Sequence, residues 1–87
     1  MSFTVVWNPS AESQLAEIWM AAADRGRVAG AANTIDRELR RSPQTVGESR
    51  AANRRLVVFA PLAVAFKVRE ADRMVTVLSV RKVESRS

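Results

Sequence analysis

The sequence predicts an α+β domain of two layers, in which a helical hairpin packs on one face of a largely antiparallel four-stranded sheet. Residues 54–82 predict three strands in a meander, because β-branched and aromatic residues alternate with small or basic ones. Two amphipathic helical patterns precede them, and a short apolar run, FTVVW, opens the chain. The predicted order is therefore β-α-α-β-β-β, in one domain that spans residues 1–87.

The opening strand, residues 3–7, leads directly into the first helix. Asn8-Pro9 combines an N-cap residue with proline at the first helical position, which is a strong start signal. One helical face then carries Ala11, Leu15, Ile18, Trp19 and Ala22. This spacing predicts that Trp19 is a core residue. We expect the helix to end near Asp24, with Gly26 closing it in the left-handed conformation.

The second helix is predicted from Val28 to Arg41. Its apolar face is formed by Val28, Ala32, Ile35 and Leu39. Asp36 and Arg40 are spaced to pair on its outer side. Ser42-Pro43 ends the helix, because the residue before a proline is disfavoured in the helical region. The polar residues 44–53 predict a loop into the sheet.

Two breaks divide the meander, at Ala60-Pro61 and at a predicted three-residue loop, residues 71–73. With that loop length, the core face of the hairpin carries Val64, Phe66, Val68, Thr76, Leu78 and Val80. The opposite face then carries Ala63, Ala65, Lys67, Arg69, Val75, Val77, Ser79 and Arg81. A two-residue loop would instead place Arg81 in the core, where a guanidinium needs a partner.

The net charge of +5 is unevenly distributed along the chain. Residues 1–49 carry five basic and six acidic side chains, whereas residues 50–87 carry nine basic and three acidic ones. Such asymmetry indicates a polyanionic partner, either nucleic acid or an acidic protein segment. A solvated basic surface without a partner is the alternative.

Histidine, cysteine and tyrosine are all absent. Thiolate and imidazole metal sites are therefore excluded, and no side chain suited to proton transfer near neutral pH is present. We expect no cofactor, no metal and no small-molecule substrate. Because no apolar run reaches membrane-spanning length, we expect a cytoplasmic protein without a membrane anchor or cleaved leader. Disorder is expected only at residues 84–87.

The order and the residues together resemble the RelE/ParE superfamily of toxins from type II toxin–antitoxin systems, also called plasmid stabilisation proteins. The matching segments are VVWNPSAESQLAEIW, then LRRSP with Gly47 shortly after, and then RRLVVFAPLAVAFKVREADRMVTVLSV followed by Arg81-Lys82. The resemblance covers residues 3–83 and implies a toxin neutralised by a cognate antitoxin protein. It also implies one of two targets: RelE-like toxins cut messenger RNA on the ribosome, whereas ParE-like toxins inhibit DNA gyrase.

The sequence departs from the ribonuclease branch at three positions. Leu56, Ala63 and Val83 stand where the ribonucleases carry basic residues, and only Arg54 and Lys82 match. RNA cleavage needs a base, cations at the phosphate and an acid, and arginine is too basic to accept the proton efficiently. The acidic residues that could serve as the base are Glu48, Glu70 and Glu84.

These departures favour a ParE-like toxin that binds its target and has no enzymatic activity. The alternatives are a RelE-like ribonuclease and a degenerate member that only binds antitoxin. The predicted target- or nucleic-acid-binding residues are Arg54, Arg55, Lys67, Arg69, Arg81 and Lys82. For a ribonuclease, the catalytic set is Arg54, Lys67, Arg81 and Lys82. The predicted antitoxin-binding region lies around Leu15, Trp19, Ile35 and Leu39.

Overall fold

A computed structural model describes residues 2–83, so Met1 and residues 84–87, where disorder is predicted, lie outside the described residues. The elements in chain order are β1 (Thr4–Trp7), α1 (Pro9–Ala21), α2 (Arg25–Arg41), β2 (Glu48–Ser49), β3 (Arg54–Phe59), β4 (Leu62–Arg69) and β5 (Met74–Lys82). The predicted α+β class is confirmed. The sheet has five strands instead of four, because β2 forms within the segment predicted as a loop.

The strands are arranged in the order β1-β5-β4-β3-β2. β1 runs parallel to β5, and the other neighbours are antiparallel. β2 makes only two residue pairs with β3, so its sequence has too few alternating positions to predict a strand. Both helices lie on one face of the sheet. Within residues 2–83, no helix has the length and apolar character of a membrane span.

The start of α1 follows the prediction, and its end does not. The Asn8 side chain accepts a hydrogen bond from the Ala11 amide at 2.8 Å, as an N-cap residue does. α1 ends at Ala21, and the Asp24 carboxylate then caps α2 by accepting from the Arg27 amide at 3.0 Å. The predicted closing role of Gly26 is therefore wrong: the Asp24 cap starts α2 early enough to place this glycine in its first turn.

α2 supplies the deepest part of the core. Ile35 and Leu39 are fully buried, and Val28 is nearly so. On the outer side, Arg40 Nε lies 2.7 Å from the Asp36 carboxylate, which confirms the predicted pair. The helix ends at Arg41, immediately before Ser42-Pro43, as predicted.

The β4–β5 turn is longer than predicted, and this changes the register near it. Arg69 pairs with Met74, so the turn has four residues, of which Arg73 has a positive φ of 48°. The prediction that Thr76 and Leu78 face the core is therefore wrong. Their neighbours Val75 and Val77 are fully buried there instead, opposite Val68 and Phe66.

A β-bulge restores the predicted register further along β5. Ala65 pairs with Ser79 and Phe66 with Val77, which leaves Leu78 as an extra residue on β5. Beyond this bulge, Val80 pairs with Val64 in the core, as predicted.

A helix side chain completes the hydrogen bonding of β5 beyond the end of β1. The Asn8 amide still donates to the Val77 carbonyl, at 3.1 Å. Farther along, the Val80 amide donates to Gln14 Oε1 of α1 at 2.7 Å. Gln14 thus ties the helical layer to the strand and satisfies a backbone donor that the sheet leaves unpaired.

The loop before β2 depends on a glycine. Gly47 has φ of 74°, and a Cβ added to it would lie 2.2 Å from the Leu56 carbonyl oxygen. We predict that Gly47→Ala lowers the free energy of unfolding by at least about 2 kcal/mol, because strain and a backbone clash combine. Urea unfolding monitored by circular dichroism measures this change.

Gly30 provides the matched control. A Cβ at this α2 position would meet nothing within 4 Å. Gly30→Ala should therefore raise stability by about 0.5–1 kcal/mol through helix propensity. Equal effects of the two substitutions would contradict the structure of the Gly47 loop.

Candidate functional site

The sheet face that the helices leave uncovered, here called the open face, carries four predicted cations: Arg54, Lys67, Arg69 and Arg81. They alternate along their strands with residues of the core, and all four are exposed. The predicted faces of Lys67, Arg69 and Arg81 are confirmed, because the bulge shifts only the residues between it and the turn. The open face therefore presents four of the six predicted binding cations to solvent.

These cations lie in two groups, at opposite ends of the open face. Arg54 and Lys67 are direct cross-strand partners, and Arg69 follows two residues later on β4. Arg81 pairs instead with Ala63, four residues from Lys67 along β4. At about 3.3 Å per residue, roughly 13 Å of strand separates the two ends.

Apolar side chains lie between the two cationic ends and beside Arg81 on the open face. We call Leu56, Val58, Ala63 and Ala65 the apolar band. Leu56 pairs with Ala65 and Val58 with Ala63, so the band crosses β3 and β4. Val58 is 54% exposed, although it sits in the middle of a strand. Leu56 and Ala65 are partly exposed, and Ala63 is buried. A partly exposed apolar band beside two cationic ends is suited to a protein segment with apolar anchors.

The carboxylates that could serve as the base of a ribonuclease are not paired with the cations of the open face. Glu48 lies on the open face opposite Leu56, but its carboxylate pairs with Arg50 at 3.3 Å. Glu70 lies in the β4–β5 turn, and Glu84 is outside the described residues. Within residues 2–83, no carboxylate forms an ion pair with Arg54 or Lys67, and no acidic cluster is arranged to hold a metal ion.

Two of the predicted binding residues point away from the open face. Arg55 lies on the helix side, because it pairs with the buried Phe66. Its guanidinium donates to the carbonyl oxygens of Val46 and Gly47, each at 3.2 Å, and so has a structural role. Lys82 pairs with the buried Leu62 at the end of β5 and is exposed there, also on the helix side.

The helical layer contains a second candidate surface, a groove of about 520 Å³ between α1 and α2. We call it the interhelical groove. Its larger apolar lining residues are Trp7, Leu15, Trp19 and Val28. Small residues on the facing sides of the helices, including Ala16, Ala29 and Ala32, leave the space open.

The predicted antitoxin-binding region is only partly accessible. Leu15 and Trp19 line the groove, and Trp19 is 41% exposed, so its predicted core position is only partly correct. The guanidinium carbon of Arg25 lies 4.6 Å from the centre of the Trp19 ring. Ile35 and Leu39 are fully buried, so the prediction that they contact a partner is wrong. Their apolar spacing marks the core and gives no information about an interface.

Sequence reasoning missed the polar residues of this groove. Glu12 and Asp36 line it. A glutamate in the first turn of a helix favours the helix dipole, and Asp36 is spaced to pair with Arg40, so neither residue indicated a groove. The available signal was the alanine content of the two helices, since facing small residues bring less volume than the interface can hold.

The two neighbouring arginines at the start of β3 give a test of this assignment. We predict that Arg55→Ala lowers the free energy of unfolding by about 1–2 kcal/mol, because two carbonyl partners lose their donor. Arg54→Ala should change it by less than about 0.5 kcal/mol, since Arg54 is exposed. Urea unfolding of both variants is the measurement, and a larger loss for Arg54→Ala would contradict the register of β3.

No protein-family model and no curated protein matches this sequence. Among solved structures, the RelBE2 toxin–antitoxin complex from Mycobacterium tuberculosis is similar, with a TM-score of 0.78, 18% identity, and coverage of 94% of this chain and 92% of that chain. The chromosomal ParDE system from P. aeruginosa is also similar, with a TM-score of 0.71, 16% identity, and coverage of 94% of this chain and 97% of that chain.

A third similar structure is TrmO from P. aeruginosa, with a TM-score of 0.61 and 23% identity. The match covers 91% of this chain and 33% of TrmO. At such identities the similarity establishes the fold alone. Both toxin branches are represented, so the fold does not distinguish them. The chain has the fold of the RelE/ParE toxins, as the sequence predicted.

Proposed function

We propose that this chain is the toxin of a type II toxin–antitoxin system, that it acts by binding a cytoplasmic target such as DNA gyrase, and that a cognate antitoxin neutralises it. The toxin assignment is supported by the fold, which matches a RelBE2 complex and a ParDE system over more than nine-tenths of each chain. The ParE-like mode of action is supported by one observation, the apolar band.

The apolar band occupies the centre of the open face, between the cations that a ribonuclease would bring together. A phosphate in a cleavage transition state needs converging positive charge, because stabilisation weakens as charges separate. Here Arg81 and the Arg54–Lys67 pair stand about 13 Å of strand apart, with Ala65 between them on β4. Binding a protein through apolar anchors and flanking cations fits this arrangement better than catalysis.

The antitoxin is proposed to use both layers of the molecule. Leu15 and Trp19 in the interhelical groove offer apolar contacts to a helix. The cations of the open face offer contacts to an acidic segment, and their charge accelerates the encounter more than it adds affinity. An antitoxin that covers the open face competes directly with the target.

A RelE-like ribonuclease remains the second candidate, because Arg54 and Lys67 are cross-strand partners on an exposed face. Two adjacent cations can bind one phosphate. This reading requires a proton acceptor that residues 2–83 do not place beside the pair.

Growth of a bacterial host tests the proposed function. We predict that induced expression of the chain arrests growth, and that co-expression of the cognate antitoxin, expected as the product of a small adjacent gene, restores it. Arg54→Ala with Arg81→Ala should weaken target binding by about tenfold, roughly 1.4 kcal/mol, and relieve the arrest. Colony counts after induction, normalised to protein level, measure the effect.

The matched control removes the same charge from the helical layer, through Arg37→Ala with Arg41→Ala. Both arginines are exposed on α2, away from the open face. This variant should remain as toxic as the unmodified chain. Normal growth at high expression of the unmodified chain would refute the toxin assignment. Growth arrest accompanied by specific cuts in messenger RNA would instead establish the ribonuclease reading.

A further inference from the structure

The interhelical groove has an unusual charge for this protein. Its ten lining residues include two carboxylates, Glu12 and Asp36, and no lysine or arginine, although the whole chain carries a net charge of +5. Asp36 pairs with Arg40, whereas Glu12 makes no ion pair within residues 2–83. Glu12 therefore leaves an unpaired negative charge at its end of the groove, within the described residues.

The two ends of the groove differ in charge. α1 and α2 are antiparallel, because only residues 22–24 connect them. Glu12 near the start of α1 and Asp36 near the end of α2 therefore occupy one end. At the other end, Arg25 lies over the Trp19 ring and donates to the carbonyl oxygens of Trp19 and Met20, at 3.2 and 3.1 Å.

The dimensions of the groove suit a short helical segment. Glu12 and Trp19 are seven residues apart on α1, which corresponds to about 10 Å, or two helical turns. An α-helix carries partial positive charge at its N-terminus and partial negative charge at its C-terminus. The charges of the groove therefore favour one direction, in which the N-terminus of the bound helix lies near Glu12 and Asp36 and its C-terminus lies near Arg25.

We propose that the groove binds an amphipathic helix of the antitoxin in this one direction, with a lysine or arginine in its first turn and an acidic residue in its last. This inference rests on the proposed function, since the antitoxin supplies the helix. It also distinguishes the two layers: the groove selects a basic helix start, whereas the open face selects an acidic segment. The antitoxin therefore carries both charge signs, in separate segments.

Two synthetic amphipathic peptides of about 11 residues test the direction, each held helical by side-chain lactams on its outer face. Their charged first and last turns then lie about 10 Å apart, which matches the length of the groove. They share one leucine and alanine face. One has Lys in its first turn and Glu in its last, and the other has these charges exchanged. The chain has two tryptophans, and both line the groove, so tryptophan fluorescence reports binding.

The Lys-first peptide should bind roughly three- to tenfold more tightly at low salt, and the difference should shrink in about 0.5 M salt as screening increases. Glu12→Gln with Asp36→Asn should remove the preference while both peptides still bind through their apolar face. Glu17→Gln, an exposed α1 residue outside the groove lining, is the matched control and should keep the preference.

Equal affinities, a preference that survives Glu12→Gln with Asp36→Asn, or no binding of either peptide would overturn the proposal. So would a dimer of the chain, seen by sedimentation, that neither peptide dissociates, because a second copy would then occupy the groove. The growth assay uses the adjacent gene product and no synthetic peptide. Its failure removes the toxin assignment, whereas failure of the peptides alone removes only the direction and charge of the bound helix.

Discussion

The β-bulge at Leu78 is the constraint on which both faces of the sheet depend. β5 lies between β1 and β4, and Val75, Val77 and Val80 all belong to its core side. A regular strand alternates with a period of two, so it cannot send both Val77 and Val80 to one face. One extra residue resolves this conflict. Without it, either Val80 would leave the core, or Val75 and Val77 would become exposed and Thr76 would be buried.

The same bulge determines what the molecule presents to partners. Because Val80 returns to the core, Arg81 lies on the open face opposite Ala63, far along β4 from Lys67. Part of the apolar band lies between these cations, and the proposed action by binding rests on this separation. The helices close the opposite face, but their alanines fill it incompletely, which leaves the interhelical groove. The fold thus carries one candidate surface on each layer.

Much of this architecture could be predicted from the sequence, because local signals and core spacing agree. The Asn8-Pro9 start, the Ser42-Pro43 end and the faces of α2 were predicted correctly. The four-residue turn and the bulge were not, since Val75 and Thr76 alternate equally well in either register and packing against the helices decides between them. Arg55 was assigned to binding for a similar reason: its partners, the carbonyl groups of Val46 and Gly47, are brought near by a loop conformation that sequence alone does not specify.

Inhibition of purified DNA gyrase is the most direct test of action by binding. A supercoiling assay with increasing amounts of the chain measures it, and addition of the antitoxin should restore activity. We predict inhibition that weakens when Arg54 and Arg81 are both replaced by alanine and persists when Arg37 and Arg41 are replaced. Full supercoiling at saturating chain, with codon-specific cuts in a translating extract, would contradict the account and identify the open face as a ribonuclease site.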